Sequence, residues 1–168
     1  MRVALIGAGR IGGLHAATLR DLPEVDALLI VDADAALARS VAAAVGADAV
    51  ADVDVAFKAD LDAVVIAAAT AAHPELVHMA LDARVPVFCE KPVASDVAGT
   101  REVAAHAAAS GTPLHVGFQR RFDVGYRTVR EAIRSGRLGW VHTLRACTSD
   151  AAPPAPSYLR GSGGIFRD

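Results

Sequence analysis

The sequence predicts an α/β protein built on a doubly wound parallel sheet, followed by the beginning of a second, α+β domain. Three observations carry that prediction. Short apolar runs alternate with alanine-rich stretches of helical length, the pattern of βαβ units. The runs are apolar at nearly every position, as strands covered on both faces must be. A glycine-rich turn joins the first run to the first helical stretch.

Taken in chain order, Val3 to Ile6, Ala27 to Val31, Ala63 to Ala67, Val85 to Cys89 and Leu114 to Gly117 read as strands. Between them Ile11 to Leu19, Ala35 to Val45, Pro74 to Ala83 and Val97 to Ser110 read as helices. Boundary residues agree: Asp34 is an N-cap type ahead of the second helix, and Pro74 sits where a missing N–H costs nothing. After Gly117 the alternation breaks. Phe122 to Ser135 reads as a helix, Trp140 to Cys147 as a strand, and "APPAPS" interrupts regular structure. Residues 1–120 are therefore expected to form one domain and 121–168 to begin another.

Composition narrows the classes. A net charge of -2 offers no basic face for a polyanion, so nucleic acid is not expected as a partner. The hydrophobic fraction of 53% is inflated by alanine, and no apolar run nears the ~20 residues that span a bilayer. The chain runs straight into a strand with no basic leader. A soluble, cytoplasmic protein with no membrane contact is expected. Cys89 and Cys147 lack metal or redox spacing and read as buried or inert thiols, and no metal site is expected.

"VALIGAGRIGGLH" contains G-x-G-x-x-G at Gly7, Gly9 and Gly12. Alone the pattern is common. Here it follows a strand and opens a helix, and Asp32 ends the next strand about 20 residues beyond Gly12, the context of a Rossmann dinucleotide-binding fold. Gly7 permits the tight turn, Gly9 lets a pyrophosphate approach the backbone, and Gly12 lets helix pack on strand. Arg10 and Ile11 open the helix whose free N–H groups and positive end face the phosphates. Asp32 would accept hydrogen bonds from the adenosine ribose and repel a 2′-phosphate, so NAD is expected over NADP. The alternatives are a glycine turn without ligand, or another adenine-containing molecule such as S-adenosylmethionine. His15, one turn further on, is expected to pack or to hydrogen-bond locally.

"FCEKPVA" poses a different question, because strand exits usually carry Gly, Asn, Asp or Ser. Here an acid, a base and a proline arrive together as Glu90-Lys91-Pro92. In an open α/β sheet ligands bind beyond the carboxyl ends of the strands, which aims Lys91 into the crevice, in reach of a hydroxyl proton. The plainer reading is a lysine that tethers a neighbouring carboxylate.

"GAGRIG", "TAAH", "CEKP", "GFQRRFD" and "SGGIFRD" occur in this order along the chain, which resembles the Gfo/Idh/MocA oxidoreductases over its whole length and looks closest to their inositol 2-dehydrogenase branch. The resemblance implies an NAD-dependent dehydrogenase that transfers hydride between a secondary alcohol of a polyol or sugar and nicotinamide. It implies that Lys91 hydrogen-bonds the reactive hydroxyl and helps deprotonate it, and that Glu90 lies beside the nicotinamide ribose. Pro92 matches a proline often preceded by a cis bond. Thr70 and His73 match positions lining the cofactor crevice, Gln119 one flanking the nicotinamide, and Asp168 the acid of a D-x-x-x-H pair. Relatives are homo-oligomeric.

Two departures stand out. Ala68 occupies a position where threonine or serine is common, and the sequence stops at Asp168, ahead of the family's histidine. The chain is accordingly expected to be truncated after its cofactor-binding domain and inactive alone. The rival expectation is a non-catalytic NAD-binding module.

Overall fold

Parallel strands form the frame. The computed structural model describes residues 1–149 and 152–153. Met1–Gly117 make one compact unit, and the chain from Phe118 belongs to another. In the first unit β1 (Arg2–Ile6), β2 (Ala27–Val31), β3 (Asp48–Ala49), β4 (Ala63–Ile66), β5 (Val87–Cys89) and β6 (Leu114–Val116) alternate with α1 (Arg10–Arg20), α2 (Ala35–Val45), α3 (Val53–Phe57), α4 (His73–Asp82) and α5 (Val97–Ser110). All pairings are parallel, in the order β3-β2-β1-β4-β5-β6. This is the expected doubly wound Rossmann sheet. Its order reverses between β1 and β4, which opens a crevice at their carboxyl ends.

Successive strand residues point to opposite faces, so β1 feeds two cores. Ala4 and Ile6 pack with Val64, Ile66, Val77 and Leu81 on one side, while Val3 and Leu5 pack with Leu28, Ile30, Ala16 and Ala38 on the other. Small residues on α1 and α2 let those helices lie close to the sheet. Cap chemistry fixes where helices start. Asp34 accepts from the N–H groups of Ala36 and Leu37, Asp52 from Val55, and Asp96 from Gly99, each satisfying donors that the first turn leaves open. No helix among the described residues is long and apolar enough to cross a membrane.

Three sequence expectations need correction. Strand β5 starts at Val87, because Pro86 has no N–H for the ladder and only its carbonyl takes part, accepting from Val64 at 2.9 Å. Elements β3 and α3 have no counterpart in the sequence reading, being two and five residues long. Trp140 to Cys147 is not a strand. It pairs with no other strand among the described residues, and an extended segment without a ladder lacks the bonds that define a sheet. The second unit instead contributes α6 (Val124–Arg134), capped by Asp123, with Tyr126, Val129 and Ile133 exposed along one face.

The two thiols differ. Cys89 is fully buried on β5, and burial, with the neighbouring Glu90 carboxylate, pushes its pKa up to about 12. Cys147 is exposed, so of the two thiols that the sequence reads as buried or inert, Cys89 is the buried one. A thiol reagent near pH 8 should therefore label Cys147 alone in the native protein, and both cysteines in denaturant. Rapid native labelling of Cys89 would show that β5 is not buried as described.

Candidate functional site

At the exit of β1 the chain must turn sharply under the neighbouring β4 exit. Gly7 does so with φ +100°, and a Cβ there would stand 2.5 Å from the Ala67 carbonyl carbon and the Ala68 nitrogen. A Cβ on Gly12 would collide with the Gly7 carbonyl oxygen. Gly9 is different. It is the N-cap of α1, carries no side-chain cap, and has open space where its Cβ would be. The N–H groups at Arg10 and Ile11 belong to the first turn, whose donors have no partner within the helix. A side chain at residue 9 would fill the space in front of them. Free N–H groups and the positive end of a helix give the cradle the polarity that a pyrophosphate needs.

Asp32 stands at the end of β2 beside that turn. Its Oδ2 accepts from the Ala8 N–H at 2.6 Å, and its Oδ1 from the Asp34 N–H at 2.8 Å. Each carboxylate oxygen can accept a second bond, so the group is pinned and still able to receive two ribose hydroxyls. It also ties the glycine turn to β2, a link that the motif alone does not reveal.

Across the switch point, the exits of β4 and β5 form the other wall. Thr70 opens a 3-10 turn, Thr70–Ala72, and is partly buried. His73 is 1% exposed, its Nδ1 lying 2.8 Å from the Pro92 carbonyl oxygen and its Nε2 3.0 Å from that of Ala68. Both ring nitrogens face main-chain carbonyl oxygens, one of which a neutral imidazole can donate to, so His73 lies against both loops and presents neither nitrogen to the crevice. Lys91 is partly buried and precedes a cis peptide bond to Pro92, matching the bond expected there.

Glu90 extends β5 by one bond, its N–H donating to Ile66 at 2.8 Å. Its Oε2 accepts from the Lys91 N–H at 3.2 Å, and its Oε1 lies 2.8 Å from His15 Nε2. His15 therefore reaches across to β5: it packs edge-on against Phe88, and its hydrogen bond is long-range where the sequence reading allowed a local one. A half-buried imidazole one turn past a glycine motif needs a polar partner, and the acid at the β5 exit is within its span. Gln119 lies in the second unit, exposed at the start of a short 3-10 turn, Gln119–Arg121. Asp168 lies outside the described residues. Among the described residues no cluster of three or more His, Cys, Asp and Glu could hold a metal ion.

A glycine cradle at the β1 exit, a pinned acid at the β2 exit and a crevice at the sheet's switch point define a dinucleotide-binding domain. The profile of the Gfo/Idh/MocA oxidoreductase family, NAD-binding Rossmann fold, matches residues 1–118, and the chain belongs to that family. It is 41% identical to a myo-inositol dehydrogenase of Streptomyces leeuwenhoekii, covering 100% of this chain and 52% of that protein. Among solved structures, a probable dehydrogenase from Thermotoga maritima superposes with a TM-score of 0.92 at 33% identity, covering 100% of this chain and 51% of its own. A scyllo-inositol dehydrogenase from Lactobacillus casei, with bound NAD(H) and scyllo-inositol, gives a TM-score of 0.77 at 26% identity over 83% of this chain and 42% of its own. The chain spans about half the length of the curated relatives it matches. Its cofactor is NAD.

The glycines make separable predictions. Gly12→Ala should destabilise the fold by at least ~2 kcal/mol, because backbone stands where the Cβ would go. Gly9→Ala should leave the unfolding free energy in urea within about 1 kcal/mol of wild type and still weaken NADH binding by about tenfold or more. Equal stability losses at both positions would contradict this division.

Proposed function

We propose that this chain is the cofactor-binding half of an oxidoreductase acting on a secondary alcohol of a polyol or sugar, inositol-like in type. The observation that carries the reading is Glu90-Lys91-Pro92 at the β5 exit, across the sheet's switch point from Asp32 at the β2 exit. The inositol dehydrogenases among the relatives support the substrate class.

Bound NAD would supply a hydride acceptor at the nicotinamide ring. The chain's own residues do the rest. Arg10 and Ile11 N–H groups hold the pyrophosphate, with Gly7, Gly9 and Gly12 giving it room. Asp32 receives the adenosine ribose, and Glu90 the nicotinamide ribose. Thr70 lines the nicotinamide end, while His73 stiffens the loops around it, and Gln119 keeps the nicotinamide-flanking role that the family resemblance implies. Lys91 hydrogen-bonds the substrate hydroxyl and assists its deprotonation together with Asp168. A homo-oligomer is the working assembly of this reading, with residues 1–120 as the cofactor domain and 121–168 as the start of the substrate domain.

The second reading is an NAD-binding module without turnover of its own. Holding substrate against nicotinamide can be worth ~7–11 kcal/mol of barrier, and that task needs surfaces beyond one crevice wall. The 168 residues alone should therefore bind NAD and not oxidise inositols or aldoses. The intact mass of the natively produced protein decides between module and whole enzyme. In a whole enzyme, Lys91→Ala should lower turnover by ~10²–10⁴-fold while NADH affinity survives. A loss confined to NADH affinity would make Lys91 a cofactor ligand instead.

Cofactor choice is testable on the chain itself. NADH should bind more tightly than NADPH in fluorescence titrations, and Asp32→Ala should weaken NADH and narrow the difference. Tighter NADPH binding by the wild type would overturn the role given to Asp32.

A further inference from the structure

We propose that His15 is a positioning residue for the Glu90 carboxylate, orienting it for the nicotinamide-side ribose of the dinucleotide. This rests on the proposed placement of Glu90 beside that ribose. Carboxylates accept and do not donate, so His15 Nε2 carries the hydrogen and Glu90 Oε1 receives it at 2.8 Å. The two residues are 75 positions apart, one on the second turn of α1 and the other at the β5 exit. Their bond couples the phosphate-binding helix to the segment that carries Lys91.

The surroundings leave the carboxylate one arrangement. Lys91 N–H holds Oε2 at 3.2 Å. On the far side, Gly117 leaves only the room its missing side chain provides, since a Cβ there would stand 3.3 Å from both Glu90 Cδ and Oε1. Phe88 meets His15 edge-on with ring centroids 5.5 Å apart and keeps the imidazole from turning away. Side-chain exposures of 25% for His15 and 20% for Glu90 leave this pair reachable from solvent on one side. Each carboxylate oxygen retains an acceptor site, enough for two hydroxyls of a ribose. Without the His15 bond the glutamate regains the rotamer freedom that binding would have to remove.

Two nucleotides separate positioning from mere support of α1. NADH contains the second ribose, and ADP ends at the pyrophosphate. A hydrogen bond to a charged group sets the scale: His15→Leu should weaken NADH by about tenfold while ADP affinity changes by less than about twofold. His15→Gln, which keeps an N–H at comparable reach, should recover most of the NADH affinity. Glu90→Ala should weaken NADH by a similar factor, and adding His15→Leu to it should cost little more. If Glu90→Ala leaves NADH affinity unchanged, the placement of Glu90 at the ribose fails, whatever His15 does. If Glu90→Ala matters and His15→Leu does not, or if His15→Leu weakens ADP as much as NADH, the positioning role is overturned. The Gln variant decides the matter should the Leu variant fold poorly: unchanged NADH selectivity supports the proposal, and a Leu-like or Glu90→Ala-like loss refutes it.

Discussion

No side chain fits between the Gly7 carbonyl and the start of α1, and that exclusion sets the height of the helix above the sheet. A Cβ at residue 12 would lift α1 off the β1 exit, and one at residue 7 would push the turn out of the β4 exit. With both absent, the helix N-terminus points along the crevice at the switch point, and Ala8 N–H comes within reach of Asp32. Positive helix end and pinned carboxylate then stand at a fixed separation, one suited to phosphates and the other to a ribose. The remaining features of the site take their positions from this contact.

Two histidines, one on α1 and one at the start of α4, play comparable roles. His73 joins the Ala68 and Pro92 carbonyls, and His15 holds Glu90. Lys91 lies between residues that are each tied to another element, Glu90 to α1 and Pro92 to the start of α4. Loops at strand ends are ordinarily the mobile part of such folds. Here contacts from helix side chains take over where the ladder ends, at the bond from Glu90 N–H to Ile66. In the proposed reaction a lysine whose neighbours are held this way would meet the substrate hydroxyl from a backbone already fixed in place.

Legibility followed range. The glycine turn, the acid after β2 and the caps at Asp34 and Pro74 are local grammar, and all could be read from neighbouring residues. Strands β1, β2 and β4 were legible because burial on both faces writes an unbroken apolar run. Elements β3 and α3 are too short to carry a period. Trp140 to Cys147 has strand-like composition, but pairing with a partner makes a strand, and composition does not encode that partner. His15 with Glu90 and His73 with Pro92 were illegible for the same reason. Each residue stood out, yet the contact that gives it a role arises only once the sheet has brought the exits of β1, β4 and β5 together.

A crystal structure of the chain with NADH tests the central claim, a single crevice read from Asp32 to Lys91, most directly. The account predicts the adenosine ribose on Asp32, the pyrophosphate against the N–H groups of Arg10 and Ile11, and the nicotinamide ribose within hydrogen-bonding distance of Glu90. A dinucleotide bound in the reverse direction, or away from the α1 N-terminus, would contradict it.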